Sequence, residues 1–151
     1  MNEENNMRSK KGFTLIEMLV VIAIIAVLVS IIIPTVTAAT TKAEAAADAA
    51  NLRSILGVMN SVLITREQTI EEAAANYDNP GSKLIEGAKM YVLYTTPGVI
   101  DVYYIDSENN YYGLKYLSDI AENGSTTLEP VVTIDTTGAT WYEVGVATPG
   151  T

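Results

Sequence analysis

The chain has 151 residues, a formal net charge of −9, and neither cysteine nor histidine. That excludes disulfides, thiol nucleophiles and cysteine metal sites, and it removes the commonest general base and metal ligand. Of nine basic and eighteen acidic residues, three of each precede Pro34, leaving six basic against fifteen acidic beyond it, so no basic face exists for general nucleic-acid binding.

Arg8, Lys10 and Lys11 stand just ahead of an apolar run. Leu15 to Ile33 is nineteen residues with a single charged side chain, Glu17. As a helix it measures about 28 Å, enough to cross a hydrocarbon core of about 30 Å. Lipid offers the backbone no partner, so the helix is enforced despite the many Val and Ile residues. The basic residues place the amino-terminal end in the cytoplasm and the remainder outside. An ordinary cleaved secretory signal has a shorter apolar core with a small-residue cleavage site after it, and no such site closely follows Pro34.

Two residues in this segment have competing readings. A carboxylate is costly within a membrane, so Glu17 either sits at the interface near a helix start, where negative charge is favourable, or has a partner. Pro34 cannot donate to the Ser30 carbonyl and its ring crowds that turn. It either ends the membrane helix or kinks and loosens a longer one, and the position alone does not decide.

Beyond Pro34 a helix is expected from Thr35 to about Leu63. Residues 38–50 contain eight alanines, which favour helix and allow close helix approach. Leu52, Ile55, Leu56, Met59, Val62 and Leu63 form one apolar stripe, which needs a cover. From Phe13 to Leu63 the helix would be roughly 75 Å long. Thr69-Ile70-Glu71-Glu72 has the capping-box pattern, predicting a short helix from about Ile70 to Asn76. Asp78-Asn79-Pro80-Gly81 is a turn.

Strands follow. Lys89–Thr95 and Val99–Asp106 flank Thr96-Pro97-Gly98, a predicted hairpin. Met90, Val92 and Tyr94 share one face, as do Ile100, Val102 and Tyr104. Ser107–Asn110 reads as a turn and Tyr111–Leu117 as a third strand. Leu128–Asp135 and Ala139–Val146 read as a second hairpin around Thr136-Thr137-Gly138. The fold class is therefore α+β: a long N-terminal α-helix, hydrophobic in its first half and amphipathic in its second, packed against a small antiparallel β-sheet head of four or five strands.

Lys10-Lys11-Gly12-Phe13-Thr14-Leu15-Ile16-Glu17, with the apolar helix behind it and Pro34 within reach, resembles the processing site of type IV pilins and pilin-like prepilins. The match covers about residues 8–34; the remainder shares only the general plan of long helix and small head. The resemblance implies residues 1–12 as leader, 13–34 as transmembrane and assembly helix, 35–64 as its amphipathic continuation, 65–88 as αβ connecting loop and 89–151 as head. A membrane-embedded prepilin peptidase is expected to cut after Gly12, with the same enzyme methylating the new amino terminus on Phe13. The other implied partners are further copies of the chain in a filament, the membrane before assembly, and membrane-embedded assembly machinery. A free α-amine ordinarily titrates near 8, so Phe13 would be positive at neutral pH and could pair with Glu17 of a neighbouring subunit in an apolar bundle. Unlike many pilins, this helix has no glycine between Val20 and Ile33, which argues against extensive melting. Many Gram-negative pilins close a C-terminal loop with a disulfide; this chain cannot, which points to a Gram-positive or other disulfide-poor source.

Other signals are weaker. Nine tyrosines fit β propensity and half-buried packing better than ligand binding. Asp101, Asp106, Glu108, Asn109 and Asn110 offer oxygen ligands but lack an EF-hand-like spacing, and solvated acidic turns are the simpler reading. There is no catalytic constellation and no cofactor motif. The expectation is a non-enzymatic pilus subunit. A pseudopilin of a type II-like secretion or DNA-uptake machine is the alternative within the family. A single-span membrane protein with an external ligand-binding head is the alternative outside it.

Overall fold

The computed structural model describes residues 12–95, 98–124 and 134–146. Among these the chain is α+β, with α1 (Leu15–Thr65), α2 (Ile70–Asn76), β1 (Lys89–Thr95), β2 (Val99–Ile105), β3 (Tyr111–Gly113), α3 (Leu114–Asn123) and β4 (Ala139–Glu143). It divides into two compact units, residues 1–36 and 37–151, and α1 belongs to both.

In the first unit every described residue, Gly12 to Val36, is exposed, including the whole Val, Ile and Leu run. This is the one stretch among the described residues long and apolar enough to cross a membrane. Its few hydroxyls are satisfied locally. Ser30 Oγ donates to Val27 O at 2.7 Å and Thr35 Oγ1 to Ile32 O at 2.8 Å. Such back-bonding removes polar groups that lipid would not accept. Pro34 lies inside the continuous helix, so the reading in which it ends the membrane helix is set aside.

In the second unit α1 buries Ala45, Asp48, Ala49, Leu52, Ile55, Met59 and Val62, a stripe at helical spacing. The helix stops after Thr65, where Arg66 takes a left-handed φ of 55° and donates to Val62 O at 2.9 Å. α2 begins at the predicted capping box: Glu72 N donates to Thr69 Oγ1 at 3.1 Å, and Thr69 N to Glu72 Oε2 at 2.9 Å.

The sheet is four-stranded and antiparallel, in the order β3-β2-β1-β4. Its inner face presents Met90, Val92, Ile100, Val102, Tyr104 and Tyr112, which form one core with Leu52, Ile55, Met59 and Val62 of α1. The predicted cover of the apolar stripe is thus the sheet. At the β1–β2 connection, residues 96 and 97 lie outside the described residues. Gly98 closes it with φ of 110° and a hydrogen bond to Thr95 O of 2.9 Å.

Two expectations need correction. The third strand stops at Gly113, and Leu114–Asn123 is a helix. Leu117 and Ile120 recur three apart and are both buried, Lys115 pairs with Asp119 one turn on, and Gly124 closes the helix at φ 69°. The β propensity of Tyr111 and Tyr112 carries the strand only to Gly113, and helical periodicity takes over from Leu114. Lys42 Nζ, donating to Glu122 O at 3.0 Å, and Arg53, donating to Ser118 Oγ at 2.8 Å, fasten α3 to α1. The second correction concerns the last strand. It ends at Glu143 and pairs with β1, Leu93 opposite Trp141. Of its proposed hairpin partner only residues 134 and 135 are described, and neither is strand; the others lie outside the described residues.

The outer face of the sheet is roofed by aromatic rings. Tyr111 on β3 and Trp141 on β4 stand on the flanking strands, about 14 Å apart across three strand spacings. Their ring centroids are nevertheless 5.8 Å apart, and Trp141 also meets Tyr103 at 6.0 Å and Tyr91 at 6.4 Å. The rings therefore reach inward over β1 and β2. Leu93 projects to this outer face, yet is only 2% exposed. This is the half-buried packing expected of the tyrosines.

The connection between α2 and β1 is held by a buried carboxylate. Asp48, with no exposed surface, accepts from Ser82 Oγ, from Lys83 N at 2.7 Å and from Leu84 N at 3.0 Å. Ser82 Oγ in turn accepts from Ile85 N at 2.8 Å. Beside it, Asn51 donates to the Tyr104 hydroxyl at 3.4 Å, which donates to Gly81 O at 3.3 Å.

Candidate processing and assembly segment

Residues 12–14 are exposed and non-helical, and α1 starts immediately after them. A side chain added at Gly12 would meet nothing within 4 Å, so its small size serves no packing need within the chain. Phe13 is 81% exposed. The peptide bond between these two residues thus lies on exposed, non-helical chain, which a protease can bind without first unwinding a helix. Arg8, Lys10 and Lys11 lie outside the described residues.

Glu17 sits in the first turn of α1, and one residue engages one of its carboxylate oxygens. Thr14 N donates to Glu17 Oε2 at 2.7 Å and Thr14 Oγ1 donates to the same oxygen at 2.9 Å. Glu17 N returns a hydrogen bond to Thr14 Oγ1 at 3.3 Å. This is a capping box, with the helix start satisfied by a threonine and a glutamate three residues on. Phe13 and Glu17 are near in sequence, but no hydrogen bond joins them within the chain. Oε1 accepts no hydrogen bond among the described residues.

The sequence reading missed Thr14, although its signal was present. Thr14-Leu15-Ile16-Glu17 has the same threonine-to-glutamate spacing that located Thr69 and Glu72. In this geometry Glu17 closes a helix start.

Elsewhere, Asp106 is the hub of the turn between β2 and β3. Its Oδ1 accepts from Glu108 N and Asn110 N, both at 2.9 Å, and its Oδ2 from Asn110 Nδ2 at 2.9 Å and the Tyr112 hydroxyl at 3.0 Å. Burial pushes the carboxyl up, but the Asn110, Tyr112 and Glu108 donors outweigh it and hold it below the ordinary range. Burial, then the hydrogen bond to Asp106, push the Tyr112 hydroxyl up to about 12. Asp106 thus serves its own turn. No group of three acidic residues with metal-binding geometry occurs among the described residues. A cleft of about 850 Å³ beyond the end of α1 brings Arg66, Glu67, Tyr94 and Tyr142 together, open to solvent.

Residues 7–33 fit the family model described as the prokaryotic N-terminal methylation motif. No curated protein and no solved structure matches the chain. The motif spans the Gly12–Phe13 bond, the Thr14–Glu17 cap and most of the exposed apolar run, and with it the chain carries the type IV prepilin signature.

Proposed function

We propose that the chain is a structural subunit of a type IV pilus. The observation that carries this reading is a methylation motif laid over the first half of α1, whose apolar residues up to Val36 are all exposed among the described residues. Hydrolysis of the Gly12–Phe13 bond by prepilin peptidase leaves a carboxylate on Gly12 and an amine on Phe13, which is then methylated. The basic leader with Arg8, Lys10 and Lys11 stays in the cytoplasm while the helix waits in the membrane. Extraction into a filament exchanges lipid for the helices of neighbouring copies, and the Phe13 amine of one copy meets Glu17 of another. A misplaced subunit strands two charges in an apolar bundle, which fixes the register. Pro34 leaves the Ser30 carbonyl without its helical donor, making that turn the weak point at which the helix kinks. After assembly the protein is extracellular, and its work is to be cut, methylated and packed.

The test is intact-mass analysis of the main component of sheared surface filaments, together with Gly12→Val and Glu17→Leu variants. The mature chain should begin at methylated Phe13. Gly12→Val should accumulate as full-length precursor, and Glu17→Leu should insert and be cut yet form few filaments. Surface protein that still begins at Met1 would remove the polymer reading in favour of a single-span protein with a ligand-binding head. Correct processing without abundant filaments would indicate the pseudopilin alternative.

A further inference from the structure

We infer that the Asn123–Gly124 step is a site of slow, non-enzymatic deamidation that the fold guards and that Lys42 keeps closed. Asn123 is the one asparagine of the sequence followed by glycine. Glycine has no side chain to hinder the approach of its own nitrogen to the preceding carboxamide, so an asparagine cyclises most readily in this dipeptide. The reaction needs only water. The Gly124 nitrogen gives up its proton and attacks Asn123 Cγ. The N–Cγ bond forms, the Cγ–Nδ2 bond breaks, and Nδ2 leaves as ammonia. Water then opens the five-membered imide at either carbonyl. One opening leaves an aspartate at position 123. The other leaves an isoaspartate, with the main chain routed through the side chain and one carbon longer.

In the folded chain the reacting groups are held apart. Asn123 is the last residue of α3, where helical ψ carries the next nitrogen away from the side-chain carbonyl. Gly124 N donates to Ile120 O at 2.7 Å, so its proton is engaged. Lys42 on α1 supplies a second lock. Its Nζ donates to Glu122 O at 3.0 Å, which satisfies one of the carbonyls that a helix end leaves open, at the end where the dipole favours a cation. Its stem also crosses Gly124, where an added Cβ would collide with Lys42 Cε. The left-handed φ of 69° selects glycine at this position, so the helix stop itself places there the residue that makes Asn123 reactive. Asn123 is exposed, and water reaches the imide as soon as the last turn opens. The isoaspartate product is one-way: its extra backbone carbon takes the Gly124 amide out of register with Ile120 O. Each copy whose α3 end has opened for long enough is thereby permanently marked.

The experiment incubates the full chain in detergent at neutral pH, both folded and unfolded in guanidinium. Peptide mass spectrometry follows position 123, where deamidation reads as NH exchanged for O, and chromatography separates the two products. The unfolded chain should react at Asn123 before any other asparagine, and the folded chain at least about tenfold more slowly. Lys42→Met keeps the stem and removes the donor; it should raise the folded rate about fivefold. Lys42→Arg retains a charged donor and should stay within about twofold of the parent. Asn123→Gln should abolish the signal. Amide exchange on the same samples locates the opening: in Lys42→Met the Gly124 amide should exchange faster while those of Val92 and Val102 in the sheet stay slow. Equal rates in the folded and unfolded parent overturn the guard. An unchanged rate in Lys42→Met overturns the role of Lys42, and so does exchange that accelerates equally in the sheet. A different asparagine reacting first in the unfolded chain overturns the site.

Discussion

Replacing Asp48 by alanine should loosen the second unit far more than its surroundings in an alanine-rich helix would suggest. Asp48 has no exposed surface and accepts from Ser82 Oγ, Lys83 N and Leu84 N. A hydrogen bond to a charged group contributes about 1.5–3 kcal/mol. Three together would exceed about 5 kcal/mol, but two effects reduce that. Lys83 is exposed and Leu84 half-buried, so water can reach their freed N–H groups. Alanine also gains up to about 0.7 kcal/mol of helix propensity. The net loss should be about 3 kcal/mol, which for a unit of this size lowers the melting temperature by about 10 °C. The assay is near-ultraviolet circular dichroism of the full chain in detergent, where Trp141 and the tyrosines report packing in the second unit and the membrane helix contributes little. Amide exchange at residues 82–85 should speed up together with that loss. Lys115→Ala, which removes an exposed pair with Asp119, should change stability by less than about 0.5 kcal/mol and serves as the control. A melting point for Asp48→Ala within about 2 °C of the parent would refute the reasoning. The connecting loop would then be held by its own turns and by Asn79, and the buried carboxylate would contribute little.

Two further expectations concern the tyrosines and the aromatic roof. Burial pushes the Tyr104 hydroxyl up to about 12, with the Asp48 charge adding to it, and Tyr112 rises to about 12 with Asp106 as its acceptor. Unfolded tyrosine ionises near about 10, so these groups contribute stability that is fully present below that pH and is lost as pH rises towards 12. Absorbance at the phenolate band should show a late class of tyrosines coinciding with alkaline unfolding; uniform titration near 10 with the fold intact would contradict the burial argument. Trp141→Ala removes a ring that meets three tyrosines above Leu93. A half-buried tryptophan should cost about 2 kcal/mol in chemical unfolding, and a loss below about 0.5 kcal/mol would mean that the roof is surface decoration.

Much of this architecture followed from residues close together in the chain. Helix α2 and strand β1 have the predicted bounds, because a capping box and a run of alternating residues are local signals. The apolar stripe of α1 and the inner face of the sheet were likewise written in spacing. The helix at Leu114 was written there too, in Leu117, Ile120 and the Lys115–Asp119 pair, but the tyrosines before it drew the reading towards strand. At the amino terminus, Gly12, Phe13 and Glu17 resemble a processing site, and they lie within the matched methylation motif at residues 7–33. Thr14 was equally legible and was passed over because Glu17 was being read for a partner outside the chain.

Tertiary structure alone decided where distant groups meet. Asp48 looks like one more polar position on an exposed helix. Its partners lie some 34–36 residues away, and two of them are backbone N–H groups, which every residue but proline possesses and which no side-chain pattern marks. The pairing of β4 with β1 was decided in the same way, since strand edges select partners by position in space. Leu93 is buried on the outer face of the sheet, the face on which the rings of Trp141, Tyr91 and Tyr103 gather. Sequence therefore determined what each segment can become and where the methylation motif lies, because those depend on local periodicity and chemistry. The fold determined which polar groups are satisfied and which face is sealed, because those depend on atoms brought together only after the chain has closed.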